Sequence, residues 1–472
     1  MEKTKLAVIG GGPGGYTAAF HAADLGIETA LIDLEREPGG VCLHRGCIPS
    51  KALLHAAHLL RQSEDAEALG IHFPEPEVDL DKLRAWKDGV VAKLTGGLSR
   101  LSKQRGIRAI QGRAFFLDAH TLSIEKAGGG AEKLSFEHAI LATGSRPVRL
   151  GLLPVSPRVL DSTGALALKR VPERLLVIGG GYIGLEIATV YAALGSEITV
   201  VEMMPGLLPG CDRDLAGVLA RRMGKLCKAV HLETRVASAV ESGGGLQVRF
   251  EGKDSPPEQS FDAVLAAVGR EPGSSGLGLT NTKVEIGARG FVRTDAQRRT
   301  AEPSIFAIGD VAGEPMLAHK ASHEGRVAAE AIAGKKTAFE PAAIPAVVFT
   351  DPELAWCGLT ETEAAKEGRA VETARFPWAA SGRAMTLNRT EGVTKLVLDP
   401  GTERVLGVGI AGPGAGELIA EGVLAVEMGA RASDLELSIH AHPTLSETLM
   451  EAAGVFYGRS THIYRPKKRP SS

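Results

Sequence analysis

Two cysteines five residues apart, Cys42 and Cys47, stand in the stretch Gly39-Gly40-Val41-Cys42-Leu43-His44-Arg45-Gly46-Cys47-Ile48-Pro49-Ser50-Lys51. On a regular helix residues i and i+5 lie with Cα atoms about 8.5 Å apart, beyond the roughly 7 Å that a disulfide spans. A bridge here therefore needs a distorted segment. Gly46 supplies backbone freedom between the cysteines, and Pro49 suits the first turn of a helix running on through Lys51. A bridge held in an irregular turn is reducible, which is the chemistry of a redox disulfide and not of a staple. Two other readings stay open on these residues. Cys42, His44 and Cys47 with His55 and His58 are zinc-ligand types, but their spacing does not match the usual C-x2-4-C hook and no second cysteine pair follows. An isolated pair could also be two reduced structural thiols. No metal is expected.

A second candidate is the segment His440-Ala441-His442-Pro443-Thr444-Leu445-Ser446-Glu447. A carboxylate on one imidazole nitrogen fixes the tautomer and raises basicity, so His442 and Glu447 across a Pro turn could form an oriented base. Taken alone, the segment reads equally as a surface histidine near a glutamate.

The elements that must position these groups are announced by an internal repeat at an offset of 169 residues. Ala7-Val8-Ile9-Gly10-Gly11-Gly12-Pro13-Gly14-Gly15 matches Leu176-Val177-Ile178-Gly179-Gly180-Gly181-Tyr182-Ile183-Gly184, and an acid, Asp33 or Glu202, follows 23 residues after the first glycine of each. Each copy reads as strand, G-x-G-x-x-G turn, helix and second strand, a βαβ unit that binds a dinucleotide. Gly10 and Gly179 make the tight turn, Gly12 and Gly181 admit the pyrophosphate, and Gly15 and Gly184 allow close helix packing. The phosphates then face a helix N-terminus, and Asp33 and Glu202 would accept from ribose hydroxyls. Glu202 repels a 2′-phosphate and has no arginine beside it, so the second unit should prefer NAD.

Smaller echoes support the duplication. Ala139–Pro147, with Thr143, Gly144 and Ser145, and Ala263–Pro272, with Gly269, both look like a strand turning sharply beneath a nucleotide. The strand Ser304–Val311 delivers Asp310 at its carboxyl end, where ligands of open α/β sheets bind. A helix is expected from Met316 through about Ile332, and from about Ala346 the pattern changes to alternating strands and an Ala/Gly-rich helix from Glu417 to Met428. The expected fold class is α/β: two Rossmann-like dinucleotide-binding domains plus a C-terminal α+β domain suited to a dimerisation interface; the family resemblance given below assigns FAD to the first and NAD to the second. Boundaries are expected at 1–150, 151–272, 273–345 (completing the first nucleotide region) and 346–472.

Length and composition set the outer limits. A chain of 472 residues needs several cores. A formal net charge of −2 gives no electrostatic case for nucleic acid or an anionic membrane, and 44% hydrophobic with 23% charged residues is ordinary for a soluble globular protein. The first strand begins almost at Met1, no apolar stretch is long enough to span a bilayer, and five cysteines do not suit a secreted framework, so a cytoplasmic protein is expected. Cys211, Cys227 and Cys357 read as packing residues, and Arg465–Ser472 as a solvated tail.

Together these elements resemble the pyridine-nucleotide disulfide oxidoreductases, and within that family the branch acting on dihydrolipoamide. The likeness covers nearly the whole chain: both fingerprints, Gly40-Val41-Cys42 through Lys51, Gly309-Asp310 with Met316-Leu317-Ala318-His319, Val348-Phe349-Thr350-Asp351-Pro352-Glu353, and His442-Pro443-Thr444 with Glu447. It implies FAD in the first unit and NAD in the second, and it adds Ala114, Val236 and the Met316–His319 run to the cofactor contacts. It also implies that Lys51 and Glu186 pair at the reactive edge of the flavin. Cys42 would be the interchange thiol and Cys47 the thiol facing the flavin. His442 and Glu447 would come from the other subunit of a homodimer, whose macromolecular partner is a lipoyl-bearing acyltransferase or a glycine-cleavage carrier protein. The alternatives are a related NAD(P)H-dependent disulfide reductase with another substrate and a flavin-binding redox-sensing subunit without turnover. Two departures stand out. His44-Arg45 replaces the family's common Asn-Val, so Arg45 is expected to lower a cysteine pKa or to favour an anionic disulfide. Ala114 replaces a glycine usual near the adenine.

Overall fold

The computed structural model describes residues 2–126, 128–253 and 256–464; the tail expected at Arg465–Ser472 lies outside them. Near-continuous apolar runs become parallel strands buried on both faces, as such runs must when helices cover a sheet. In the first unit Glu2–Ile9 is the central strand, pairing in parallel with Thr29–Asp33 and with Ala131–Leu141. Arg108–Gln111 extends one edge, while Thr121–Glu125 and Arg113–Asp118 add an antiparallel flap on the other side. The late strand Ile305–Ala307 returns to pair in parallel with Ala131–Leu141, and the helix Ala318–Ile332 that follows packs on the helix Pro13–Asp24. The first sheet, begun at Glu2, is thus finished by residues as far along the chain as Ile305–Ala307.

The second unit repeats the plan. Arg174–Ile178 lies between Glu197–Val201 and Ala263–Ala266, all parallel, with the helix Tyr182–Ala193 leaving the glycine turn. Thr234–Ser242, Gly245–Gly252 and Glu258–Phe261 form a separate antiparallel sheet. The C-terminal unit is a five-stranded sheet with Ala415–Glu427 and Glu447–Tyr457 as its main helices. A buried ionic knot ties it to the second unit. Lys395, only 1% exposed, donates to Asp212, Asp214 and Glu361.

The two strand-turn echoes differ from the expectation in one respect. Each does end in a positive-φ glycine, Gly144 and Gly269, but the segments beyond them, Ser145–Pro147 and Arg270–Pro272, pair with each other in antiparallel register. The repeats are joined through their own duplicated ends. Among the described residues, no helix is long and apolar enough to cross a membrane.

Candidate active site

The redox segment is two helices and not one distorted helix. Gly40–Arg45 ends at Gly46, whose φ of −138° and ψ of −114° break the run, and Cys47 opens the helix Cys47–Asp65. A Cβ on Gly46 would sit 2.8 Å from the Val41 carbonyl oxygen, so the break depends on glycine. It brings Cys42 and Cys47 close enough for a mutual hydrogen bond, both as free thiols. The hydrogen bond from the Cys42 thiol is the main reason that Cys47 falls to about 7, against the desolvation of its site and with help from the Lys51 charge. Cys42, as donor, is pushed up by that same bond and by its burial. The hydrogen bond and the Lys51 charge thus both favour the thiolate on Cys47 over one on Cys42.

Both sulfurs open on a cavity of about 530 Å³. Gly10 and Gly12 of the first turn form part of its wall, and the helix N-terminus at Gly12 carries no side-chain cap, leaving its N–H groups for a ligand. Gly12 and Gly40 touch: a Cβ on Gly40, at φ +57°, would lie 2.5 Å from the Gly12 Cα. Gly15 does not line the cavity; it is where the helix crosses the turn, and a Cβ there would overlap the Gly10 carbonyl. Asp33 lines the wall while one carboxylate oxygen accepts from the Gly11 N–H and the other from the Glu35 N–H at 2.7 Å. Ala114 and Gly144 are wall residues too. Thr143 is on the wall and donates to the Gly273 carbonyl at 2.8 Å. Ser145 donates to Asp310 at 2.5 Å, which holds that acid at the cavity. Met316 and Ala318 reach it as well, whereas Leu317 and His319 are absent from its walls and the His319 ring donates to the Pro345 carbonyl at 2.8 Å.

On another wall Lys51 Nζ meets Glu186 Oε2 at 2.7 Å, joining the redox helix to the helix of the second turn. Glu186 is 3% exposed and its other oxygen accepts from the Phe349 N–H at 3.0 Å. The remaining second-unit candidates stand apart from this cavity. Gly179 makes the turn at φ +105°, Gly184 packs the helix against it, and Gly181 has no neighbour within 4 Å of a Cβ. Glu202 repeats Asp33, accepting from the Gly180 N–H at 2.7 Å and the Met204 N–H at 2.8 Å. Val236 is a core residue, 6% exposed, in the apolar cluster with Leu176 and Ile178.

His442 lies on neither cavity wall. Its Nδ1 is 2.9 Å from Glu447 Oε1, it is 73% exposed, and Glu447 is held in turn by the Thr444 N–H at 2.8 Å. The cavity is walled entirely by residues up to Ala321. Within one chain, the dyad and the cysteines are not brought together.

The expectation for Arg45 is overturned. Its guanidinium is 2.6 Å from Glu35 and so is neutralised by a carboxylate, and the causes acting on the cysteine thiols are each other, burial, Lys51 and Glu186. His44 likewise donates to the Glu37 carbonyl at 3.0 Å. The two side chains clip the short helix Gly40–Arg45 to the loop after the second strand. Arg270 went unread in the sequence: it lines the cavity and holds Ser145 through both its hydroxyl, at 2.7 Å, and its carbonyl, at 2.8 Å. Its place in the Gly-Arg-Glu-Pro echo of Gly-Ser-Arg-Pro was the available signal. Cys211, Cys227 and Cys357 are buried, and desolvation pushes each up to about 12, so they pack and do not react.

Comparison with known proteins agrees with this geometry. The family model described as pyridine nucleotide-disulphide oxidoreductase matches residues 4–325, and that family's dimerisation domain matches residues 344–453. A dihydrolipoyl dehydrogenase of Haemophilus influenzae is 49% identical over 468 residues, covering 99% of this chain and 98% of its own length. One of Vibrio cholerae is 47% identical over 469 residues, with 99% and 98% covered. Among solved structures, LpdA from Mycobacterium tuberculosis superposes with a TM-score of 0.88 at 27% identity, over 95% of this chain and 99% of that one. The HOCl-induced flavoprotein disulfide reductase RclA of Escherichia coli, in its Cu(II) complex, gives 0.86 at 29%, over 96% and 99%. The family match over residues 4–325 and the near-full-length likeness to these relatives show that the chain belongs to the pyridine nucleotide-disulphide oxidoreductases.

Proposed function

We propose that this chain is a dihydrolipoyl dehydrogenase, oxidising dihydrolipoamide through a Cys42–Cys47 disulfide with FAD in the first unit and NAD in the second. The observation that carries the reading is that the polarised thiol pair opens on the same cavity as the first glycine turn. The uncapped helix N-terminus, the bare Gly12 surface and Asp33 fit the pyrophosphate and ribose of FAD, and Lys51, Glu186 and Cys47, on the walls of the same cavity, would hold its flavin ring. When bound, FAD would supply the acceptor for the electron pair of the reduced cysteines and the hydride donor to NAD.

The chain's own groups handle protons and sulfur. His442 Nδ1–H donates to Glu447, which leaves Nε2 with a free lone pair, and the base takes a proton from a substrate thiol. The substrate thiolate attacks Cys42 Sγ; the new S–S bond forms as the Cys42–Cys47 bond breaks, and Cys47 leaves as the thiolate its surroundings favour. The second substrate thiol loses its proton to solvent and attacks the substrate sulfur of the mixed disulfide. The disulfide of lipoamide closes and Cys42 is released to take a proton from the His442 imidazolium.

The exposed dyad and the cysteines meet in a homodimer, with His442 of one subunit serving Cys42 of the other. Large apolar side chains left exposed on the C-terminal unit, Leu424, Met428, Leu437 and Ile439, suit such an interface. A lipoyl-bearing acyltransferase or carrier protein would present the substrate arm. Anaerobic titration of the yellow holoenzyme with dihydrolipoamide and then NAD tests the reading. A long-wavelength thiolate-to-flavin band followed by NADH is expected, and absence of both would sink it.

A further inference from the structure

Three units of the fold converge on one lysine. Lys51 comes from the redox helix, its partner Glu186 from the helix of the second glycine turn, and the third member, Phe349, from the segment that leads out of the C-terminal strand Ala346–Val348. Phe349 makes two contacts. Its N–H donates to Glu186 Oε1 at 3.0 Å, and its ring lies under Lys51 Nζ, 4.5 Å from the centroid. An aromatic face attracts an ammonium and at the same time excludes water from one side of it. The main-chain bond meanwhile leaves only the other Glu186 oxygen for Lys51. Phe349 also borders the interface unit's first helix: Gly416, in the first turn of Ala415–Glu427, lies beside its ring, where a Cβ would stand 3.4 Å away, at ordinary contact.

We propose that Phe349 is a positioning residue for the redox centre: by holding Glu186 through its N–H and Lys51 on its ring, it makes seating of the C-terminal unit a condition for the Lys51 charge to face Cys47. The inference deepens the proposed function and rests on it for the identity of Cys47 as the flavin-facing thiol. Titratable and charged groups acting on Cys47 come from several elements: Cys42 on the preceding short helix, Lys51 on its own helix, and Glu186 with Tyr182 on the helix of the second turn. Tyr16, on the helix of the first turn, faces both cysteines. Of these, Lys51 is the cation, so loosening it should make the Cys47 thiolate harder to form.

The test is the pH midpoint of the long-wavelength thiolate-to-flavin absorption in the two-electron-reduced holoenzyme. In Phe349→Ala and Phe349→Leu the midpoint should rise by about half a unit to one unit, the size expected for losing a partly desolvated cation–π contact. Phe349→Tyr keeps the ring and the N–H and should hold the parent midpoint. In a Lys51→Met background, Phe349→Ala should add no further shift. A midpoint that is unmoved or lowered in both Phe349→Ala and Phe349→Leu overturns the proposal. So does an equal rise in Phe349→Tyr, or a full rise that persists without Lys51. A parent enzyme lacking the band or turnover with dihydrolipoamide and NAD would instead sink the functional reading, so the two failures are told apart.

Discussion

The two glycine-turn units start from nearly the same sequence and end in different surroundings. In both, the third strand residue of the fingerprint hands the chain to a positive-φ glycine, and in both the acid at the second strand end accepts from the N–H of the next glycine. Around the first turn, however, the fold closes. The helix Ala318–Ile332 lies so tightly on the first helix that a Cβ on Gly325 would sit 2.6 Å from the Gly14 carbonyl, and Gly40 of the redox segment presses on Gly12. Around the second turn a Cβ on Gly181 would meet nothing within 4 Å, and Met203 and Met204 are exposed. One motif thus serves two purposes: an enclosed copy suits a cofactor that stays, and an open copy suits one that exchanges every turnover. The difference lies in what is packed against the motif.

The largest expected effect lies outside both copies and isolates them from catalysis. His442→Gln should lower kcat for dihydrolipoamide by about 10²- to 10⁴-fold, the usual range for losing a general base, with flavin content and KM for NAD unchanged. Steady-state kinetics checks it, and a change in flavin content would contradict the separation of the dyad from the cavity. Next, Gly325→Ala should yield protein depleted of FAD because the new methyl would sit 2.6 Å from the Gly14 carbonyl and part the two helices that close the first turn, while Gly181→Ala should retain FAD and raise only the KM for NAD. The flavin-to-protein absorbance ratio decides; equal FAD loss in both would break the contrast between closed and open copies.

The acids give a smaller comparison. Removing a charged acceptor of a main-chain N–H costs roughly 1.5–3 kcal/mol. Glu202→Ala should therefore weaken NAD binding about tenfold or more and narrow its preference over NADP, and Asp33→Ala should show its loss in FAD retention instead. Isothermal titration with each nucleotide would sharpen or dissolve that division. The smallest effect concerns one histidine in each unit. His138 and His231 each have a buried ring nitrogen without a partner, and desolvation holds both below the ordinary histidine value. Below about pH 6.5 the unfolded chain takes up these protons before the folded chain does, so stability falls as the pH falls from there. His138→Phe and His231→Phe should each flatten the acid side of a denaturation profile; a slope equal to the parent's would show that the ring is not the cause.

The two glycine turns, their following acids and the change of character near residue 346 were legible without coordinates, because each rests on short-range rules: strand, turn and helix within about thirty residues. The same holds for the Cys42–Cys47 segment, where Gly46 and Pro49 announce a break and a helix start, and for His442 with Glu447, five positions apart. What coordinates decided is every relation spanning the chain. Glu186 lies 135 residues from Lys51 and 163 from Phe349, and no local pattern announces that the three meet. The strand Ile305–Ala307 carries no sign of which strand it joins, Ala131–Leu141 in parallel register, and the charge of Arg45 gives no sign in the sequence of its partner Glu35. Residue types and spacing determined which chemistry the chain holds, since propensity and turn geometry act locally. Which groups face each other, and which copy of the motif is shut, depended on long-range packing, where burial and ion pairing select among partners that the linear order does not rank.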